Sequence, residues 1–274
     1  MIYLTNGSYE GLLCAVFASY TVPAGETLVQ PSQILDRERY QIGLLDSVRD
    51  ITCEELIATR VLAGIEKIAG ASANRLLLKV FLSEFTDAPM LVYRLIKKLM
   101  RLKNPAFLKN YADADVLRAA QISKMINREV HRMHAFVRFQ KLHSGDYLAL
   151  IDPDFDVMPL LDDHFVRRFA DMTWTIFDTR RGYGIYFDKT TVTYVRNIPA
   201  DLDESERIAN QYLDDKEKAF QALWKAYFDS VNINARKNEK HHIAQLPKRY
   251  WKYLPEKGLG NRDVAHSINL RSAK

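Results

Sequence analysis

Two histidines three residues apart, His131 and His134, open the stretch HRMHAFVRFQ that ends at Gln140. On a helix, positions i and i+3 share a face, so the pair could ligate a metal or pass a proton together. A shared face is not enough for a metal. No H-E-x-x-H surrounds the pair, and the nearest carboxylate, Glu129, points away from one or both. A closed site takes about four ligands, and nothing in the spacing brings His164, His241, His242, Asp152 or Asp178 to the pair. No metal and no cofactor are expected. As general acids or bases the candidates are His131, His134, His164, Asp178 and Glu129. The competing reading is two histidines at a helix end, where the dipole favours positive charge.

Arginine set among aromatic residues suggests a different chemistry. Read as a strand, AFVRFQKL puts Val137 and Phe139 on one face and Phe136, Arg138 and Gln140 on the other. Arg138 then either lies under a carboxylate such as Asp178 or belongs to a binding face. WTIFDTRRGYGIYF brings together Trp174, Asp178, Arg180 and Arg181. Near the end, KRYWKY carries three basic and three aromatic residues, Lys248, Arg249, Tyr250, Trp251, Lys252 and Tyr253, with Arg236 and Lys240 upstream. Cations of this kind contact phosphates, and aromatic rings stack on unpaired bases. The alternative is ordinary packing: aromatic strands form core, and Trp251 and Leu254 dock on a sheet while the lysines face water.

The charge distribution suits either a polyanion partner or two solvated helix faces. Net charge is +5, yet Ala88–Ala112 holds six basic residues and no acidic one, and Arg236–Arg262 holds eight against two acids. Removing those two +6 segments leaves the rest of the chain at −7. Such patches draw nucleic acid by releasing its counterions. Two cysteines, Cys14 and Cys53, are too few for a disulfide scaffold, a zinc ribbon or an iron–sulfur cluster, and both read as buried small hydrophobes. The longest apolar run, Leu12–Ala18, falls far short of the ~18 residues of a membrane span. The start MIYLTNGSYEG lacks the features of a secretory signal, so a cytoplasmic protein without membrane contact is expected.

These residues need elements to position them. MIYLT reads as a strand, NGS as a turn and YEGLLCAVFASY as a helix with Ser8 as N-cap. That turn offers free N–H groups to an anion, but neither a P-loop nor a G-x-G-x-x-G is present. Residues 21–50 are irregular, with short strand character near Thr27–Val29. Thr52 and Glu55 spell a capping box before a helix that Gly70 ends, and two more helices and a long one, Asp113–His134, follow. AFVRFQKL, DYLALID, TWTIFDT, YGIYFD and TVTYVRN then read as strands, interrupted by a helix from Pro159 to Asp171. The last third is helical: Glu204–Ser230, Ala235–Gln245 and a short helix opened by Pro247. The expectation is one α+β domain over residues 1–256, with a 257–274 tail. Within it, 1–134 is mostly helical, 135–198 is a mainly antiparallel sheet of ββ-α-ββ character, and 199–256 is helical.

Four stretches, YLTNGSYEGLLCAVF, HRMHAFVRFQ, DHFVRRFADMTWTIFDTRR and ALWKAYFDSVNINARKNEKHHIAQLPKRYWKYLPE, carry a resemblance that spans Met1 to about Glu256. Together the chain resembles a bacterial family of uncharacterised DNA metabolism proteins. The resemblance implies work beside a radical S-adenosylmethionine protein of DNA modification or repair. In some relatives this domain is fused to a uracil-DNA glycosylase-like domain, and no such domain is expected after residue 274. The family supplies no catalytic residues to carry over. The positions that match its motifs are Arg138, Trp174, Arg236, Lys248, Tyr250 and Trp251.

Three functions compete at this point. One is a DNA-binding accessory subunit using Arg138, Trp174, Arg180, Arg181, Arg236, Lys240 and Lys248–Lys252. The second is an enzyme acting on DNA, glycosylase-like or hydrolytic, which needs an acid or base beside a flipped base. The third is a protein-interaction scaffold without DNA contact.

Overall fold

The computed structural model describes residues 1–21, 29–196, 214, 216–231, 243 and 245–257. The chain divides into two compact units at Arg128 and Glu129. The first is built on three short parallel strands, in the order β2 (Gln33–Asp36), β1 (Ile2–Thr5), β3 (Val48–Asp50). Every residue of β1 is buried, as its unbroken apolar run Ile2-Tyr3-Leu4 requires of a central parallel strand. β1 turns at Asn6-Gly7 into α1 (Tyr9–Ala18), and the Ser8 hydroxyl caps it by accepting from Gly11 N at 2.9 Å. The two flanking strands were not legible in the irregular stretch, because each is four residues or fewer. The strand expected near Thr27–Val29 falls largely on residues 22–28, outside the described residues.

Helices α2 (Glu55–Ala69), α3 (Ala71–Leu82) and α4 (Ala88–Leu102) follow, then α5 (Ala114–Phe136), in which the division between the units falls. Gly70, at φ 75°, ends α2 and starts α3, a backbone state in which a Cβ is strained. The Thr52–Glu55 capping box does not form: Glu54 occupies the N-cap position without a side-chain cap bond. Its extended backbone is held instead by Cys14, whose Sγ accepts from Glu54 N at 3.3 Å and donates to Glu54 O at 3.4 Å.

The second unit carries a five-stranded sheet in sequence order: β4 (Gln140–Lys141), β5 (Tyr147–Ile151), β6 (Trp174–Asp178), β7 (Tyr183–Phe187) and β8 (Val192–Arg196). All neighbours are antiparallel except β5 and β6, whose parallel pairing needs the crossover through α6 (Asp162–Arg168). The fold is therefore α+β, with a mostly antiparallel sheet between helical regions. Two expectations need correction. AFVRFQKL is not a full strand: α5 runs on to Phe136, and only Gln140 and Lys141 pair with β5. Phe139 is drawn into a ring cluster with Phe165, Phe169 and Trp174, so the strand faces assigned to Val137 and Arg138 do not exist. The helix from Pro159 to Asp171 is a 3-10 turn, Met158–Leu160, followed by α6, which Phe169 ends at φ −130°, ψ 47°.

Toward the C-terminus come α7 (Glu217–Val231) and the 3-10 segments Lys248–Tyr253 and Pro255–Lys257. Pro247 does precede the short helix expected there. The 204–213 start of the long expected helix, and most of the one near Ala235–Gln245, lie outside the described residues.

Candidate nucleic-acid interface

β5 and β6 run parallel, so their C-terminal ends open on the same edge, where α/β crevices hold ligands. Asp152-Pro153-Asp154 leaves β5 there, and the β6–β7 turn leaves β6. The turn is written into its residues. The Asp178 carboxylate accepts from Arg180 N at 2.9 Å and Arg181 N at 3.1 Å, and Gly182 closes it at φ 68°. Asp178 is fully buried, and burial holds its carboxyl above the usual carboxylate range despite the Arg181 guanidinium 2.7 Å away. Arg181 also donates to the carbonyls of Pro153 and Asp154 at 3.1 and 3.3 Å, tying the two loops together. Asp178 and Arg181 therefore form one clamp, while Arg180 is exposed and reaches the Asp154 carbonyl at 3.4 Å.

A second clamp lies on the same edge. Glu129, on α5, is 1% exposed, although a lone glutamate is seldom buried. It accepts from Asp154 N at 2.9 Å, from the Tyr250 hydroxyl, from Arg249 Nη2 at 3.3 Å and from Arg132 Nη1 at 3.4 Å. Arg249 also meets Asp154 Oδ2 at 2.6 Å. Burial, then the Glu129 carboxylate, push the Tyr250 phenol well above its ordinary value. The glutamate's role was detectable: Ala119, Ile122, Ile126, Glu129 and Met133 recur at helical spacing and are all buried, so Glu129 occupies a core position.

The KRYWKY segment is thus divided by direction. Tyr250 is buried against Glu129, and Arg249, itself exposed, reaches both Glu129 and Asp154. Lys248 is exposed, with its ammonium 5.8 Å from the Trp251 ring centroid, and Lys257 approaches the same ring at 5.0 Å. Lys252 is exposed, pairs with Asp152 at 2.9 Å and sits 4.7 Å from the Tyr253 ring. Tyr253 itself meets the Thr179 hydroxyl at 2.7 Å. Trp251 is half-buried and anchored by its indole N–H, which donates to Leu246 O at 3.1 Å. The outward row is therefore lysine and aromatic in turn, the pattern suited to phosphate and base together.

The remaining sequence candidates lie elsewhere. Trp174 is 0% exposed and packs on Phe187, Phe165 and Phe139, which makes it core and not an open stacking platform. Arg138 binds Glu256 Oε1 at 2.8 Å and the carbonyl of Ala135 at 2.7 Å. The other oxygen of buried Glu256 accepts from the Trp224 indole at 3.0 Å, an anchor the sequence reading missed because its partners are more than thirty residues away. His131 is exposed; His134 stacks on His164 at 3.9 Å, not on a carboxylate. Burial, then the neighbouring His164 and His131, lower the His134 pKa to about 4. The histidine pair and Asp178 thus have different partners. Among the described residues no group of three or more His, Cys, Asp or Glu could hold a metal. Arg236 and Lys240 lie outside the described residues. No described helix is long and apolar enough to cross a membrane.

The basic stretch Ala88–Ala112 in the first unit is partly neutralised by residues just beyond it. Arg94 binds Asp115 at 2.8 Å, and Lys98 binds Asp113 and Asp115 at 2.7 and 3.0 Å. Lys97 caps the end of α1 through Ser19 Oγ at 3.2 Å and lies over Tyr20.

Comparison with known proteins adds a family but no activity. Residues 86–256, more than half of the chain, match a domain of unknown function, DUF4130. No curated protein and no solved structure matches.

Proposed function

This chain belongs to the DUF4130 family, and we propose that it is a DNA-binding accessory subunit in DNA repair or modification, working beside a radical S-adenosylmethionine enzyme. The observation that carries this reading is the outward row of Lys248, Trp251, Lys252, Tyr253 and Lys257, with Arg180 on the same edge. Lysines there neutralise phosphates, and the Trp251 ring is the stacking surface for an unpaired base. Arg138, Trp174, Arg181, Arg249 and Tyr250 then serve as scaffold for that row. The test is fluorescence anisotropy of labelled single-stranded and duplex DNA with the full chain across a salt series. The expected result is affinity that falls steeply with salt and is higher for single strands. Affinity indifferent to salt contradicts the reading.

A protein-interaction role has one observation of its own. On α7, Phe220, Leu223, Trp224 and Tyr227 lie at helical spacing and are all exposed. This face suits the contact with the partner enzyme. If the protein is only a scaffold, it co-purifies with that enzyme after nuclease treatment and shows no affinity for DNA alone.

A further inference from the structure

Cys14 and Cys53 take no part in the surface proposed above. Cys14 is buried on α1, and Cys53 is half-buried in the segment between β3 and α2. The two meet at one point. Glu54, the residue after Cys53, is clasped through both its N–H and its carbonyl by the Cys14 sulfur, at 3.3 and 3.4 Å. The Cys14 sulfur therefore lies against the peptide bond that joins Cys53 to Glu54, and the Cys53 sulfur lies 3.9 Å from the Ser8 hydroxyl that caps α1. We propose that Cys14 and Cys53 form a peroxide-sensitive dithiol site, which closes an intrachain disulfide between α1 and the entry to α2.

Exposure sets the order of events. The Cys53 thiolate attacks one oxygen of the peroxide: an S–O bond forms, the O–O bond breaks, and the departing hydroxide takes a proton to become water. The Cys14 thiol then gives up its proton and its sulfur attacks the Cys53 sulfur. An S–S bond forms, the S–O bond breaks, and a second water leaves. Two thiols lose two protons and two electrons, and hydrogen peroxide is reduced to two waters. Burial holds the Cys14 thiol above its ordinary pKa, which keeps it from reacting first. The resolving sulfur is held on the backbone of the residue next to Cys53, so the sulfenic acid is consumed before further oxidation. The closed bond ties the middle of α1 to the uncapped start of α2.

The test uses the folded full chain exposed to hydrogen peroxide, then denatured in an alkylating reagent and mapped by mass spectrometry. The expected product has lost two hydrogens, shows a linked Cys14–Cys53 peptide and regains two alkylatable thiols on reduction. In Cys14→Ser, Cys53 stops at a sulfenic acid that dimedone traps. In Cys53→Ser, Cys14 stays alkylatable after the same exposure. Three wild-type results overturn the proposal: both thiols still free, Cys53 over-oxidised while Cys14 is free, or linkage only between chains. The wild-type map decides even if a variant fails to fold.

Discussion

At the residue scale, Glu129 is the most heavily committed side chain of the sheet-bearing unit. It is a buried charge held by Arg249, Arg132, the Tyr250 hydroxyl and the Asp154 amide. Removing one partner of such a network leaves the others buried and unpaired. Glu129→Ala is expected to cost about 3–5 kcal/mol, read as a lower urea midpoint in tryptophan fluorescence. Glu129→Gln keeps acceptors for Tyr250 and Asp154 and costs less, about 1–3 kcal/mol. An unchanged midpoint for the alanine variant contradicts this role. His134 gives a pH dependence with a definite sign. Its folded-state pKa is lowered from 6.5 to about 4, so between these values the unfolded chain binds the proton more readily. Stability is full above 6.5, falls as pH drops through that window and levels off near 4. His134→Phe, which keeps the stack on His164, is expected to flatten that part of the stability curve. An equal slope in wild type and variant excludes His134 as its source.

At the scale of elements, two caps that look alike in sequence behave differently. Ser8 caps α1, so Ser8→Ala is expected to cost about 1 kcal/mol. Thr52 caps nothing, so Thr52→Ala is expected to change stability by less than about 0.5 kcal/mol. Paired denaturant titrations check both, and equal losses contradict the assignment. The contrast shows what was readable. Ser8 acts within a short local turn, whereas the start of α2 is decided by Cys14, forty residues away. The same division runs through the sheet. β6, the Asp178–Gly182 turn and β7 announce themselves by aromatic alternation around an Asx and glycine signal, and they form as read. The strand expected over Ala135–Leu142 shrinks to Gln140–Lys141, because α5 runs on to Phe136 and Phe139 joins the Phe165–Phe169–Trp174 cluster. Of the site, the KRYWKY composition was visible. Which of its members meet Glu129 was not, because helical spacing marks Glu129 as a core position but not its partners, which lie 120 and 121 residues away.

At the scale of the molecule, a net charge of +5 overstates the cations open to a partner. Arg94, Lys98, Arg138, Arg181 and Arg249 are each spent on a carboxylate within their own unit. On the β5–β6 edge, Lys248 and Lys257 approach the Trp251 ring, and Lys252, paired with Asp152, approaches the Tyr253 ring. Binding strength there should come from few phosphates and from stacking, so losing two of the lysines is expected to lower the salt slope by roughly two. The most direct measurement compares single-stranded DNA binding by wild type and by Lys248→Ala/Trp251→Ala/Lys252→Ala, with matched unfolding midpoints, by fluorescence anisotropy. The account predicts at least a roughly tenfold loss of affinity with a shallower salt slope. Equal affinity and slope in a folded triple variant would contradict it and move the function to the exposed face of α7.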